Sequence, residues 1–93
     1  PESSQPVQVV MEDIIFEPMT ITIPANQDVA ISVPNQGAAV HNFNVDPLGV
    51  YSGDVQPGQN TQVTINAQPG TYDFYCSVPG HKEAGMVGQL IVQ

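Results

Sequence analysis

The residues best suited to chemistry are three side chains in the segment YCSVPGHKEAGM (75–86), namely Cys76, His81 and Met86. Four residues separate each of them from the next, and Cys76 is the only cysteine of the chain. The chain's other histidine, His41, lies far upstream. Thiolate and thioether sulfur favour copper(I), while imidazole also suits copper. Two histidines, one cysteine and a weakly bound methionine are therefore suited to a copper ion that changes its oxidation state.

Each of these residues also has an ordinary structural explanation. A lone cysteine is usually buried and inert, a lone histidine is usually structural or exposed, and a lone methionine usually lies in the core. Their joint spacing beside a predicted strand favours a shared metal ion instead. Structural zinc is the nearest alternative metal, but it prefers four Cys or His ligands. Met11 and Met19 lack such neighbours, so we expect both in the core.

The chain is strongly acidic. Its 93 residues carry nine Asp or Glu side chains against one base, Lys82, and the formal net charge is −8. Phosphate groups are bound through Lys and Arg, so the composition argues against nucleic acid as a partner. A charged protein partner should be basic, although solubility alone explains the charge equally well. No apolar run approaches the roughly 20 residues that span a membrane, and we expect a soluble domain.

Strand patterns recur along the chain, and helix patterns are nearly absent. Nine prolines and eight glycines interrupt it at short intervals, and the segments between them alternate apolar and polar residues. This predicts an all-β fold, an antiparallel Greek-key β-sandwich of seven or eight strands. The predicted strands cover 7–16 (with a break near Glu12-Asp13), 19–24, 28–33, 41–45, 61–66, 71–76 and 87–92.

The predicted elements also explain how the four side chains could meet. Cys76 ends one strand and Met86 opens the last one, with 77–85 as the loop between them. Glycines and a proline in this loop supply its bends, and His41 comes from a distant strand. Residues 46–60 form the longest irregular stretch and are expected to hold a turn of helix. Residues 1–6 are predicted to be a flexible tail or the remnant of a tether, and 7–93 a single domain.

Two segments resemble the cupredoxins, the small blue copper proteins. TYDFYCSVPGHKEAGMVGQLIV (71–92) is similar to the family's C-terminal copper loop, and HNFNV (41–45) resembles the strand of its first histidine. Plastocyanin and pseudoazurin have two residues between Cys and His, whereas this chain has four. That spacing is closer to auracyanin, rusticyanin and the plant phytocyanins.

The resemblance implies a role for individual residues. His41, Cys76 and His81 would be the equatorial ligands of one type 1 copper ion, and Met86 the axial ligand. Asn42 would brace the cysteine loop by hydrogen bonding toward Ser77. Tyr72 matches the tyrosine corner of such sandwiches. The copper-binding end would present small and apolar residues to a docking partner: Ala38, Ala39, Val78, Pro79 and Ala84.

The implied function is a one-electron shuttle that cycles copper between Cu(II) and Cu(I) and is not an enzyme. Its partners would be redox proteins with a basic docking surface, such as a cytochrome, an oxidase or a reductase. We expect an extracytoplasmic monomer with no small-molecule substrate. Attachment to a membrane through a tether outside this chain is left open. The alternatives are a copper-binding domain of a larger protein with a storage, chaperone or assembly role, and a fragment of a copper enzyme.

Overall fold

A computed structural model describes residues 7–93 and shows ten short strands in this range. In chain order they are β1 (Val7–Gln8), β2 (Val10–Glu12), β3 (Ile15–Glu17), β4 (Thr20–Ile23), β5 (Val29–Pro34), β6 (Asn44–Val45), β7 (Val50–Tyr51), β8 (Asn60–Ile65), β9 (Gly70–Tyr75) and β10 (Val87–Val92). A 3₁₀ turn at Asp46–Leu48 confirms the turn of helix expected within residues 46–60.

The strands form two sheets and a separate hairpin. One sheet has the order β1-β5-β8, the other has the order β4-β10-β9-β6-β7, and β2 pairs with β3. The predicted β-sandwich is confirmed. Its pairing is mixed, because β1 runs parallel to β5 and β4 runs parallel to β10, while the other neighbours are antiparallel. Among residues 7–93, no helix is long and apolar enough to cross a bilayer.

Alternating side chains explain why each strand buries one face. In β4, Ile21 and Ile23 are buried while the threonines between them are exposed. In β5, Val29, Ile31 and Val33 point inward in the same way. Successive side chains of a strand point to opposite sides of the sheet, so this period of two directs one apolar row into the sandwich.

Three aromatic rings form the centre of the core. Phe16, Phe43 and Phe74 are fully buried. The ring of Phe16 lies edge-on to both others, with centroids 5.8 Å from Phe43 and 5.1 Å from Phe74. Phe43 lies two residues after His41, and Phe74 two residues before Cys76. The same packed cluster therefore fixes the two strand segments that carry these candidate ligands.

Three details of the predicted strands needed correction. The segment 7–16 divides into β1, β2 and the start of β3, and the predicted break near Glu12-Asp13 is present as a turn. His41 makes only an isolated bridge to Val55, so β6 begins later than expected. The described residues therefore form ten strands rather than the predicted seven or eight, because the first segment divides and β7 is additional.

The expectation for one methionine was wrong. Met11 is fully buried as expected, but Met19 is 55% exposed. Met19 sits in a bend before β4, although its carbonyl still accepts a hydrogen bond from the Gln89 N–H at 2.8 Å. The bend turns its side chain away from the apolar row of β4. The tail predicted at 1–6 lies outside the described residues.

Candidate metal centre

Cys76 is positioned by the last rung of the β9–β10 ladder. Val87 pairs with Tyr75, and one step beyond them the Cys76 N–H donates to the Met86 carbonyl at 3.2 Å. The side chains of Phe74 and Cys76 both point into the core, and Cys76 is fully buried. The thiol is therefore held by backbone hydrogen bonding and by the packed interior.

The loop after Cys76 turns His81 back toward the sulfur. The His81 N–H donates to the Val78 carbonyl at 2.9 Å, and the His81 carbonyl accepts from the Met86 N–H at 3.0 Å. Gly80 and Gly85 flank this turn with φ values of 85° and 109°. Residues with a Cβ rarely adopt such backbone angles, so the two glycines allow the chain to turn tightly around His81.

His41 reaches the same point from another part of the chain. Its backbone exchanges two hydrogen bonds with Val55, at 3.2 Å and 2.8 Å, which fixes the segment next to the sheet. The imidazole is fully buried, whereas that of His81 is partly exposed. One histidine is therefore enclosed and the other lies at the surface of the same end.

The three donor atoms converge. The Nδ1 atoms of His41 and His81 are 3.2 Å apart. Cys76 Sγ lies 3.9 Å from Nδ1 of His41 and 3.5 Å from Nδ1 of His81. The ligand atoms of these three residues all lie within 4.8 Å of one another. Within the part of the chain that the structure describes, no other group of three His, Cys, Asp or Glu side chains is close enough together to share a metal ion.

These separations fit a first-row metal ion. Metal–nitrogen bonds of about 2.0–2.1 Å and metal–sulfur bonds of about 2.3 Å would place the ligand atoms of a planar site roughly 3.5–3.8 Å apart. The observed separations of 3.2 to 3.9 Å bracket that range. Two imidazoles and one thiolate also match the trigonal donor set of blue copper centres.

Met86 lies beside this group. It is fully buried, and its backbone bonds to both Cys76 and His81. A thioether is a soft, weak donor that suits copper and serves zinc poorly. Met86 therefore has a suitable donor atom and a backbone tied to two of the candidate ligands, and its axial role stays a prediction.

Asn42 connects the two segments that carry candidate ligands. Its Oδ1 accepts from the Ser77 N–H at 2.7 Å, and its Nδ2 donates to the Ser77 hydroxyl at 3.0 Å and to Asp54 at 3.1 Å. The Asn42 backbone N–H points at Cys76 Sγ at 3.5 Å. Asn42 and Ser77 are therefore in direct contact, as the resemblance implied, and Asn42 also contacts the cysteine sulfur.

Asp13 is a neighbour of the site that the sequence did not reveal. Its Oδ1 lies 2.8 Å from Nε2 of His41, and its oxygens also accept from the N–H groups of Ala38 and Ala39. The hydrogen bonds from Ala38 and then from His41 lower the pKa of Asp13. The only sequence signal was the polar break at Glu12-Asp13, which nothing linked to residue 41.

The residues predicted to face a partner lie on the two segments that carry the histidines. Ala38 and Ala39 precede His41, and Pro79 and Ala84 flank His81. Ala39 is half-buried, and the other three are exposed.

Lys82 is held beside the loop. Its Nζ lies 4.5 Å from the ring centroid of Tyr75, whose hydroxyl donates to Asp46 at 2.9 Å. The hydrogen bond to Asp46 raises the pKa of Tyr75. The chain's single base is thus placed over an aromatic ring that is itself bonded to an acid.

Tyr72 also has a defined partner. Its hydroxyl donates to the Gln68 carbonyl at 2.8 Å. This is the backbone contact of a tyrosine corner, as the sequence predicted.

Comparison with protein families gives one consistent answer. The family model described as a cupredoxin-like domain matches residues 1–92. The copper-resistant cuproprotein CopI of Pseudomonas aeruginosa is 26% identical, over 99% of this chain and 78% of its own length. The chloroplastic plastocyanin of Chlamydomonas reinhardtii is 34% identical, over 84% of this chain and 58% of its own length.

Solved structures show the same fold. Auracyanin B superposes with a TM-score of 0.81 at 27% identity, covering 97% of this chain and 89% of that chain. Auracyanin A of Chloroflexus aurantiacus, described as a blue copper protein, also gives 0.81, at 22% identity and with 96% and 98% coverage.

Proposed function

The chain belongs to the cupredoxin family, and from this membership we propose that it is an electron carrier, shuttling one electron between redox proteins. Its cofactor is copper of type 1, which supplies the Cu(II)/Cu(I) couple when bound. The observation that carries the proposal is the convergence of the His41 and His81 Nδ1 atoms with the Cys76 sulfur.

We assign His41, Cys76 and His81 as the three equatorial ligands and Met86 as the axial ligand. The donor separations and the burial of three of these residues support the assignment. Imidazole binds copper in either state, and thiolate and thioether favour copper(I). A mixed set of this kind retains the ion through a change of oxidation state.

Asn42 and Ser77 act as positioning residues in this proposal. Their two hydrogen bonds tie the His41 segment to the residue after Cys76. Partners of the ligands fix ligand orientation and tune a metal centre. A site held in this way needs little rearrangement when the electron arrives, which suits rapid transfer.

The electron is proposed to enter and leave at the His81 end. His81 is partly exposed while His41 is enclosed, so a partner can approach the metal more closely there. Ala38, Ala39, Pro79 and Ala84 would form the docking patch, and the net charge of −8 would attract a basic redox protein.

Copper storage or delivery is the second candidate function. It is favoured by the likeness to CopI, whose name describes a copper-resistant cuproprotein. Burial of His41, Cys76 and Met86 argues for the carrier instead, because a protein that hands copper to another must expose its ligands for exchange. For the carrier we propose an extracytoplasmic location and no enzymatic activity.

A spectroscopic titration tests the proposal. Copper(II) is added to the metal-free protein, the visible spectrum is recorded, and a mild reductant is then added in steps. An intense blue or green band that bleaches and returns on reoxidation supports the carrier. Absence of the band, or loss of copper to a competing chelator on each reduction, would favour storage or delivery.

A further inference from the structure

We propose that Asp13 positions the copper ligand His41, that it selects the imidazole tautomer able to bind the metal, and that it lowers the reduction potential of the centre. This inference rests on the proposed function. Asp13 lies in the turn between β2 and β3, 28 positions before His41 in the sequence.

The carboxylate of Asp13 bonds to both the ring and the backbone of the His41 segment. Oδ1 lies 2.8 Å from Nε2 of His41 and accepts from the Ala39 N–H at 3.2 Å. Oδ2 accepts from the Ala38 N–H at 2.9 Å. One side chain therefore fixes the orientation of the imidazole relative to the chain that carries it.

The contact also determines which ring nitrogen carries the proton. An ionised carboxylate only accepts hydrogen bonds, so the neutral imidazole of His41 must hold its proton on Nε2. Its Nδ1 then presents a lone pair, and this is the atom that faces His81 and Cys76. Histidine ligands commonly donate their second N–H to such a partner, which fixes the tautomer and raises the basicity of the ligand.

Gly37 permits the close approach of Asp13. A Cβ at position 37 would lie 2.3 Å from Oδ1 of Asp13 and 3.0 Å from its backbone nitrogen. Any side chain there would push the carboxylate away from its partners. Gly37 thus offers a second way to weaken the contact, one that leaves the charge of Asp13 in place.

The His41 segment has a support that does not depend on Asp13. The buried side chain of Asn35 donates to the carbonyls of Ala39 and Val55, at 2.9 Å and 2.8 Å, and accepts from the Gly37 N–H at 2.8 Å. Replacement of the exposed Asp13 should therefore leave the segment folded, so that its effect on the metal can be measured.

The first experiment compares Asp13→Asn with Asp28→Asn. Asp28 is exposed, accepts a hydrogen bond from Asn66, and immediately precedes β5. It lies at the opposite end of that strand from Asn35, roughly 23 Å along the chain direction. Both variants lose one negative charge. Loss of a ligand's partner typically weakens metal binding about 10- to 100-fold. We expect at least a 10-fold loss of copper(II) affinity and a raised potential for Asp13→Asn, because a less basic imidazole stabilises Cu(II) less. Equal changes in both variants would overturn the inference.

Gly37→Ala is the second variant. It should raise the potential in the same direction as Asp13→Asn without any change of charge. An unchanged potential in Gly37→Ala would show that the charge of Asp13 acts without the contact, and the positioning role would be wrong.

The hydrogen bond itself can be measured without copper. In ¹⁵N-labelled metal-free protein, the Nε2 proton of His41 should exchange slowly with solvent in the wild type and rapidly in Asp13→Ala. Equally slow exchange in both would contradict the inference. A wild type that develops no copper band would instead contradict the proposed function, and the exchange measurement would still test the role of Asp13.

Discussion

Asn42 and Ser77 make two hydrogen bonds to each other: the Ser77 N–H donates to Oδ1 of Asn42 at 2.7 Å, and Nδ2 of Asn42 donates to the Ser77 hydroxyl at 3.0 Å. The pair joins the segment of His41 to the segment of Cys76. The amide also accepts from the buried Asn44 at 2.8 Å. The side chain of Asn42 therefore makes several hydrogen bonds at once, whereas the side chain of Ser77 makes one to Asn42.

Asn42→Ala should destabilise the metal-free protein more than Ser77→Ala does. Loss of the amide leaves the Ser77 N–H and part of Asn44 without a partner, and an unsatisfied buried group costs about 1–3 kcal/mol. Ser77→Ala keeps the backbone hydrogen bond and should cost about 1 kcal/mol or less. Urea unfolding of the two variants measures the difference, and equal losses would contradict the central role of Asn42.

Cys76→Ser should abolish the intense visible band of the copper-loaded protein. The band requires the soft thiolate, and a hydroxyl is a hard, weakly donating replacement. Ser77→Ala serves as the control, since it alters the adjacent residue and leaves the sulfur in place. A Cys76→Ser protein that keeps its colour would remove Cys76 from the ligand set.

Met86→Gln should lower the reduction potential while copper binding and fold persist. An amide oxygen is a harder donor than the thioether, and it favours copper(II) over copper(I). Met19→Gln makes the same exchange at an exposed position and should leave the potential unchanged. Voltammetry on both variants decides the matter; a higher or equal potential in Met86→Gln counts against axial ligation.

The two other methionines should differ sharply in their contribution to stability. Met11→Ala opens a cavity in the core and should cost about 2–5 kcal/mol, because Met11 is fully buried. Met19→Ala removes a side chain that is 55% exposed and should change the free energy of unfolding by about 0.5 kcal/mol or less. Thermal or urea unfolding of the metal-free variants provides the comparison.

Much of the fold could be predicted because local patterns specify it. The alternation in β4 and β5 follows from the two-residue period of a strand, and the spacing from Cys76 to Met86 lies within one strand–loop–strand unit. The role of Asp13 could not be found in this way. It depends on how the β2–β3 turn packs near His41, and in sequence Asp13 resembles any other of the nine acidic residues.

Met19 and the parallel pairs show a second limit of local patterns. In sequence Met19 fits the apolar row of β4, but it lies in a bend before the strand, so the buried row begins only at Ile21. The pairing of β1 with β5 and of β4 with β10 joins segments distant in sequence. No short turn between neighbouring strands specifies such a pairing. The alternation of apolar and polar residues therefore predicts where the strands lie but not which strands pair.

The association rate with a basic redox partner should fall as the salt concentration rises. The chain carries a formal charge of −8, and electrostatic steering raises the rate of encounter between opposite charges. Charges more than about 10 Å apart are largely screened at 0.1 M salt. Stopped-flow electron transfer to a basic cytochrome over a salt series measures this dependence. A rate that is independent of salt would remove the steering proposal.

Pro79→Glu should slow electron transfer even at high salt, where steering is already screened. Pro79 is exposed next to the His81 turn, and a carboxylate placed there must be desolvated when a partner docks, which is costly without a compensating charge. Gln68→Glu adds the same charge at an exposed position beyond the opposite end of β9, and its rate at high salt should match the wild type. If both variants transfer electrons as fast as the wild type at high salt, the electron leaves by a route other than the His81 end.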